Sequence, residues 1–313
     1  RPLMFMTESD QYVLRDGKTR GSSAGASGAS FDHLGTNRQK EPIVLSDYIS
    51  YEEMEFSAML GMSVPTAFIN NGSRNNSAEP QPHGDFHPEG FYVGLAGCRF
   101  ERQDRMEWKQ MVVTEEQNTA ENGYGPAPTG NPMLKKWARL YGDKVGYFRT
   151  YDEAREQHRC EGEGEGSRFV RLGGYYFDTF AYAARMELMA EMFLWEANER
   201  AKQARKVAFC HIVGLGLGVW QVHDRQAQLQ VDAYAAVLRR LTLRHVSEMH
   251  FSWIGADNCG GVRNGETFKE NDNSVRVVFD RRNPADPIPG RAPGDEEWLL
   301  VAQYAWDGNS YPG

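Results

Sequence analysis

The chain has 313 residues, 40% apolar and 25% charged, enough to bury a large core and to exclude disorder of the whole. Lys and Arg total 35 against 43 Asp and Glu, a formal charge of −8, which excludes a domain that coats nucleic acid. Glycine, at 32 residues, is the compositional outlier, so many turns, or backbone brought close to another group, are expected. Along the chain, residues 21–30 (GSSAGASGAS) read as a small-residue loop. Residues 47–60 read as a helix stopped by Gly61, and 65–70 (PTAFIN) as a short strand. A loop over 80–88 leads to a glycine-interrupted strand over 90–100, with 108–114 (WKQMVVT) as its neighbour. Residues 118–132 and 161–167 (EGEGEGS) are loops.

The second half has clearer periodicity. Asp178 is placed to cap a long helix running to about Arg205. A buried-type strand over 207–213 (VAFCHIV) enters a glycine loop at 214–218, and a helix is expected over 220–243. Strands follow over 246–254, 274–279 and 298–305. Strand and helix in alternation predict a partly parallel α/β sheet flanked by helices. No internal repeat is present. The most apolar long segment, 180–197, contains Arg185, Glu187, Glu191 and Glu196, so no membrane-spanning helix is expected. The four cysteines, Cys98, Cys160, Cys210 and Cys259, form no C-x-x-C pair. They read as isolated thiols of a reducing, cytoplasmic or otherwise intracellular compartment. The sequons at Asn71 and Asn75 carry little weight against that. The start at Arg1 and the end at Ser310-Tyr311-Pro312-Gly313 look like those of a processed or excised chain.

The strongest local motif is Gly214-Leu215-Gly216-Leu217-Gly218-Val219-Trp220, between an apolar strand and a helix. Glycines let backbone approach an anion, and a helix N-terminus offers free N–H donors. The spacing is neither G-x-G-x-x-G nor a Walker loop, and a tight βα turn without ligand is the plainer alternative. Behind it, Asp224, Gln228 and Asp232 share one helix face. A carboxylate there can orient water or stabilise developing positive charge; the alternative is a solvated face. The loop Asn70-Asn71-Gly72-Ser73-Arg74-Asn75-Asn76 offers amides for a purine edge or ribose and Arg74 for a phosphate, or is an Asn-Gly turn. Asp307 and Asn309 follow the last strand, where open α/β sheets bind ligands. Residues 257–261 and Arg281-Arg282 are further candidates for the rim. His83 and His87 lack a third ligand, His211 reads as a core histidine, and no spacing calls for a metal or cofactor.

Four separated blocks together resemble one family: strand-G-L-G-L-G-V-W-Q, F-I-N-N-G-S-R-N-N, Ser50-Tyr51-Glu52-Glu53-Met54, and A-W-D-G-N-S-Y-P-G. They are similar to the MavL-like family, a divergent macrodomain group named for a bacterial effector. The resemblance covers nearly the whole chain. It implies a single macrodomain-like domain over 1–313, with an elaborated, loop-rich 1–170 and a core over 171–313. It implies ADP-ribose as ligand and ADP-ribosylhydrolase activity, since the effector removes ADP-ribose from an arginine of ubiquitin. Gly214–Trp220 would then hold the diphosphate and distal ribose, residues 70–76 would close the pocket, and Asp307 and Asn309 would hold ADP-ribose. The family chemistry uses aspartates, for which Asp224 and Asp232 are the first choices. Family members continue past Tyr311-Pro312-Gly313, so the resemblance implies a shortened pocket wall or a chain cut there. An ADP-ribose reader without catalysis is the main alternative, because fold alone does not decide between the two. A different nucleotide enzyme comes third.

Overall fold

The computed structural model describes residues 11–13, 19–21, 61–100, 103, 106–130, 133–291 and 297–306. The chain divides into two compact units, Arg1–Met59 and Leu60–Gly313. In the first, β1 (Gln11–Val13) and β2 (Thr19–Gly21) form an antiparallel pair. The helix expected over 47–60, the block at Ser50–Met54 and most of the 21–30 loop lie outside the described residues.

The second unit opens with β3 (Gly61–Ala67), β4 (Glu89–Leu95), α1 (Trp108–Met111), β5 (Val112–Val113), α2 (Met133–Leu140) and α3 (Tyr151–Glu161). Next come β6 (Phe169–Leu172), β7 (Tyr175–Asp178), α4 (Thr179–Ala204), β8 (Val207–Val213), α5 (Arg225–Arg240) and β9 (Val246–Ser252). The short strands β10 (Asn258–Cys259), β11 (Val262–Arg263) and β12 (Thr267–Phe268) precede β13 (Val275–Asp280) and β14 (Trp298–Ala305). A seven-stranded sheet has the order β12-β13-β9-β8-β14-β4-β3. Its interior from β13 to β4 is parallel, and both edges are antiparallel. This is the mixed, mostly parallel α/β sheet expected of a macrodomain-like fold. A separate three-stranded sheet has the order β5-β7-β6.

Two helices cover one sheet face, because alternate strand residues are apolar toward them. Cys210, Ile212, Met249 and Val301 share a buried core with Met189 and Phe193 of α4 and Val231 and Val237 of α5. Burying a side chain of this size contributes about 1.5–3 kcal/mol. On the opposite face, Phe209, Trp298 and Leu300 pack against Ala285 and Ile288 of the segment after β13. Helix α4 is framed as expected. The Asp178 carboxylate accepts from Ala181 N at 3.0 Å, and Arg205 ends the helix in the left-handed conformation at φ 57°.

Several boundaries differ from the sequence reading. β3 starts at Gly61 and ends at Ala67, so the expected helix stop is a strand start. Gly61 pairs with Leu95, whose side chain fills the space a Cβ would take. β4 stops at Leu95 rather than Phe100. Residues 108–113 do not neighbour β4; one helical turn leads into β5, which pairs with β7. Helix α5 starts at Arg225, five residues later than expected. The delay has a local cause. Gln226 Oε1 accepts from Val222 N at 2.7 Å and His223 N at 2.8 Å, fixing the preceding residues in a turn.

Candidate functional site

The interior strands run β13, β9, β8, β14, β4 across the sheet, so the last strand inserts between an early one and a middle one. Ligands of open α/β sheets bind beyond the carboxyl ends of strands at such a reversal. Register puts these ends side by side. Leu95 pairs with Ala305, and Val213 with Ser252, which pairs with Asp280. Ala96, Trp306, Gly214, Trp253 and Arg281 therefore leave the same edge. Trp306 N donates to Leu95 O at 3.0 Å, holding the exits of β14 and β4 together.

The glycine loop at this edge is clamped from below. Gln230 of α5 is fully buried. Its Oε1 accepts from Leu215 N at 3.0 Å and its Nε2 donates to Val213 O at 2.9 Å. Val213 N donates to Gln303 Oε1 at 3.2 Å. From the side the loop meets the exit of β4 at backbone distance. A Cβ on Gly97 would lie 2.5 Å from the Leu215 carbonyl carbon, and one on Gly216 would lie 2.8 Å from Cys98 O. Gly216 also has φ +71°, so packing and conformation both require glycine there. Gly218 differs, since a Cβ on it would have no atom of the described residues within 4 Å. Among the described residues, no acceptor meets the amides of Gly216, Leu217, Gly218 or Val219. Val219 is 94% exposed, and Trp220 is half-buried. A run of open amides on a rigidly held loop is suited to an anion.

Asp224 sits at the start of α5, exposed, in αR geometry and with no capping bond from its side chain. Beside it, the His223 ring stacks on Phe177 at 5.8 Å. Partial burial, then the Arg225 cation, holds its imidazole below the ordinary value. Its Nδ1 accepts from Arg225 N at 3.1 Å. Asp232, on the same helix face as the spacing predicts, is engaged instead. Its Oδ1 accepts from Gly260 N at 2.8 Å and Gln228 Nε2 at 2.9 Å. That ties the β10–β11 hairpin to α5, and the hairpin lines a depression with Asp257, Asn258, Gly261, Arg263 and Asn264.

The asparagine loop starts elsewhere. β3 is antiparallel to β4, so its carboxyl end lies at the sheet edge opposite Gly214. Asn70 Nδ2 donates to Glu79 O, and its Oδ1 accepts from Gly72 N, both at 2.9 Å. Asn71 Nδ2 donates to Asp286 Oδ1 at 2.8 Å, and its Oδ1 accepts from Ser73 N at 3.1 Å. These amides build two successive Asx turns and fasten the loop to the segment after β13. Arg74 is exposed. Arg282 is buried, with its guanidinium 4.4 Å from the Phe209 ring centre, so only Arg281 of the pair is exposed at the rim. His211 is a core histidine; burial depresses its imidazole to about 4. Among the described residues no cluster of ligating side chains could hold a metal ion. Asp307 and Asn309 lie outside the described residues.

Two groups at this edge escaped the sequence reading. Below the exit of β4, fully buried Arg185 donates through Nη2 to Ala96 O at 3.0 Å and pairs with Glu107 at 3.3 Å. Burial alone would raise the Glu107 carboxyl, but Arg99 and then Arg185 hold it below its usual range. A lone Arg among apolar helix residues was the available signal. The second group is Trp253, 64% exposed at φ +63°; the strand expected over 246–254 contains it, whereas β9 ends at Ser252.

A sequence profile described as "ADP-ribosylhydrolase MavL-like" matches residues 1–313. The ADP-ribosylarginine hydrolase CG2909 of Drosophila melanogaster is 33% identical over 324 residues, covering 99% of this chain and 60% of that protein. The ADP-ribosylarginine hydrolase CG3568 of the same species is 33% identical over 328 residues, covering 100% of this chain and 60% of that protein. The chain thus spans about 60% of the length of these curated relatives.

Proposed function

The chain belongs to the MavL-like ADP-ribosylhydrolase family, and from that premise we propose that it hydrolyses the bond between ADP-ribose and an arginine side chain of a modified protein. Arginine as acceptor rests on the names of the two Drosophila relatives, ADP-ribosylarginine hydrolases; modified ubiquitin is the protein substrate to try first. The observation that carries the reading is the run of amides from Gly216 to Val219, at the carboxyl edge of the sheet, that meet no acceptor among the described residues. A diphosphate accepts from these donors and lies at the positive end of α5. The net charge of −8 is compatible with this, because backbone amides rather than basic side chains neutralise the ligand.

In this reading the ribose C1–N bond stretches with oxocarbenium character, and a carboxylate near C1 stabilises that charge. Water attacks C1, its proton passes to the carboxylate, and the guanidine leaves with the bonding pair. Asp224 is the first choice for this role, because its carboxylate makes no capping bond and is open to solvent. Asp307, one residue past Trp306, is the second. Asp232 keeps a supporting role through the β10–β11 hairpin. Asn309 is proposed as a further pocket wall; the 70–76 loop starts from the opposite edge of the sheet and is left out of this pocket. Free thiols at all four cysteines support a reducing, intracellular setting.

The test is Asp224→Asn. Binding of ADP-ribose stays within about twofold, while release from ADP-ribosylated arginine falls at least about 100-fold, the usual scale for losing an acid–base group. Wild-type turnover in that variant would remove Asp224 from the mechanism.

A further inference from the structure

We propose that His223 is a positioning residue for the reaction: its ring caps α5 in place of Asp224 and so leaves the Asp224 carboxylate free for the substrate. The inference rests on the reading that Asp224 is the carboxylate beside C1. Aspartate is among the residues most favoured at a helix N-cap, where its carboxylate accepts from a backbone amide of the first turn. Asp224 stands at that position and makes no such bond. The residue before it makes the bond instead. His223 Nδ1 accepts from Arg225 N at 3.1 Å. His223 O accepts from Gln226 N at 3.1 Å, and Gln226 Oε1 accepts in return from His223 N at 2.8 Å. The glutamine reaching back to the cap amide is half of a capping box, with histidine in the place usually held by serine or threonine. The turn is also fixed from the side. The imidazole lies nearly parallel to the Phe177 ring, at 11° with centres 5.8 Å apart, and Phe177 is fully buried.

Histidine brings to this cap a property that serine and threonine lack. A backbone N–H only donates, so the Nδ1 that meets it carries no proton, and the proton of the neutral ring is on Nε2. Protonation turns Nδ1 into a donor, sets it against the Arg225 N–H and removes the cap. Among the described residues, the charged groups around the ring are Arg225 and Asp224 on its own segment and Glu163 from the loop after α3. The Arg225 guanidinium donates to Glu163 O. The Glu163 carboxylate is engaged by His158 at 3.5 Å and by Arg171 N at 3.2 Å. Phe177, on the stacked face, brings no charge. Burial, then Arg225, outweigh the two carboxylates and keep the ring below its ordinary value, so at neutral pH it is the neutral cap. The cap is therefore complete above about pH 6.5, the ordinary histidine value, and is lost as pH falls through the lowered one.

The experiment is the pH profile of kcat/KM for release of ADP-ribose from an arginine-modified protein, with ADP-ribose affinity measured by calorimetry. It uses the whole chain as wild type, His223→Asn and His223→Ala. The kcat/KM profile reports ionisations of the free enzyme. Wild type loses activity in acid along a limb centred below about pH 6.5. Asparagine is among the best helix caps and does not titrate. His223→Asn therefore keeps release at neutral pH within about threefold, and its acidic limb moves down to the carboxylate range. Alanine cannot cap. His223→Ala binds ADP-ribose within about threefold of wild type but loses about tenfold or more in kcat, since an ångström of misplacement costs up to about 100-fold. A wild-type acidic limb in His223→Asn, or a wild-type kcat in His223→Ala, would overturn the proposal and leave the hydrolase reading standing. Wild-type turnover in Asp224→Asn would remove Asp224 from the reaction and the positioning role of His223 with it.

Discussion

Gly216 and Gly218 stand two residues apart in one loop, and the structure assigns them opposite kinds of importance. Gly216 has φ +71°, and an added Cβ would lie 2.8 Å from Cys98 O. The left-handed conformation costs a side-chain-bearing residue about 1–2 kcal/mol, and overpacking against fixed atoms adds about 1–3 kcal/mol. Gly216→Ala should therefore destabilise by roughly 2–5 kcal/mol. For a unit of this size that lowers the melting temperature by roughly 4–20 °C. Among the described residues Gly218 has no atom within 4 Å of its Cβ position, and its φ is not left-handed. Gly218→Val should therefore change stability by less than about 0.5 kcal/mol, as for other surface substitutions. Its isopropyl group stands where a diphosphate would meet the open amides, so ADP-ribose affinity should fall at least about tenfold, or 1.4 kcal/mol. Thermal denaturation and calorimetry on the two variants read both quantities. A stable Gly216→Ala protein would refute the loop packing. A Gly218→Val protein that binds ADP-ribose normally would refute the placement of the diphosphate.

Glu107 gives a prediction in pH. Its folded carboxyl ionises below the ordinary range, so its stabilisation is fully present above the unfolded value near 4.3. That stabilisation is lost as pH falls through the lowered folded value. Glu107→Gln should cost about 3 kcal/mol at neutral pH, because it unpairs a buried arginine. The gap to wild type in urea melts should narrow below about pH 4. A gap that widens on acidification would contradict the assignment. Thiol labelling gives another. Burial raises the thiols of Cys98 and Cys210 well above their ordinary value and that of Cys259 to about 12, while Cys160 is exposed. Iodoacetamide on the native protein should alkylate Cys160 alone, read by peptide mass; early labelling of Cys210 would mean that the sheet opens readily.

The parts of the fold that the sequence made legible are those where local signals agree. Val207–Val213 and Trp298–Ala305 are apolar runs bounded by breakers, and both strands have the expected limits. Asp178 is an N-cap before a helical period, and the helix begins behind it. The failures lie where distant partners decide. Val112–Val113 is apolar enough for any strand, and its pairing with β7 rather than β4 is a tertiary choice. One local signal was present and passed over. Thr150 and Glu153 form a capping box in front of α3, which T-x-x-E announces. At the candidate site, the motif 214–220 identified the loop but not its clamps, since Gln230 and Gln303 are far away in sequence. Asn70 and Asn71 had the right chemistry for a ligand, yet their amides fasten their own loop. Polar composition cannot distinguish an amide that faces a ligand from one that closes a turn.

The central claim is that this chain cleaves ADP-ribose from arginine rather than merely holding it. The most direct measurement is free ADP-ribose released over time from arginine-ADP-ribosylated ubiquitin, with enzyme well below substrate. Release of many equivalents per protein molecule is expected, abolished in Asp224→Asn. Tight binding of the modified protein with no release would contradict it and make the chain a reader.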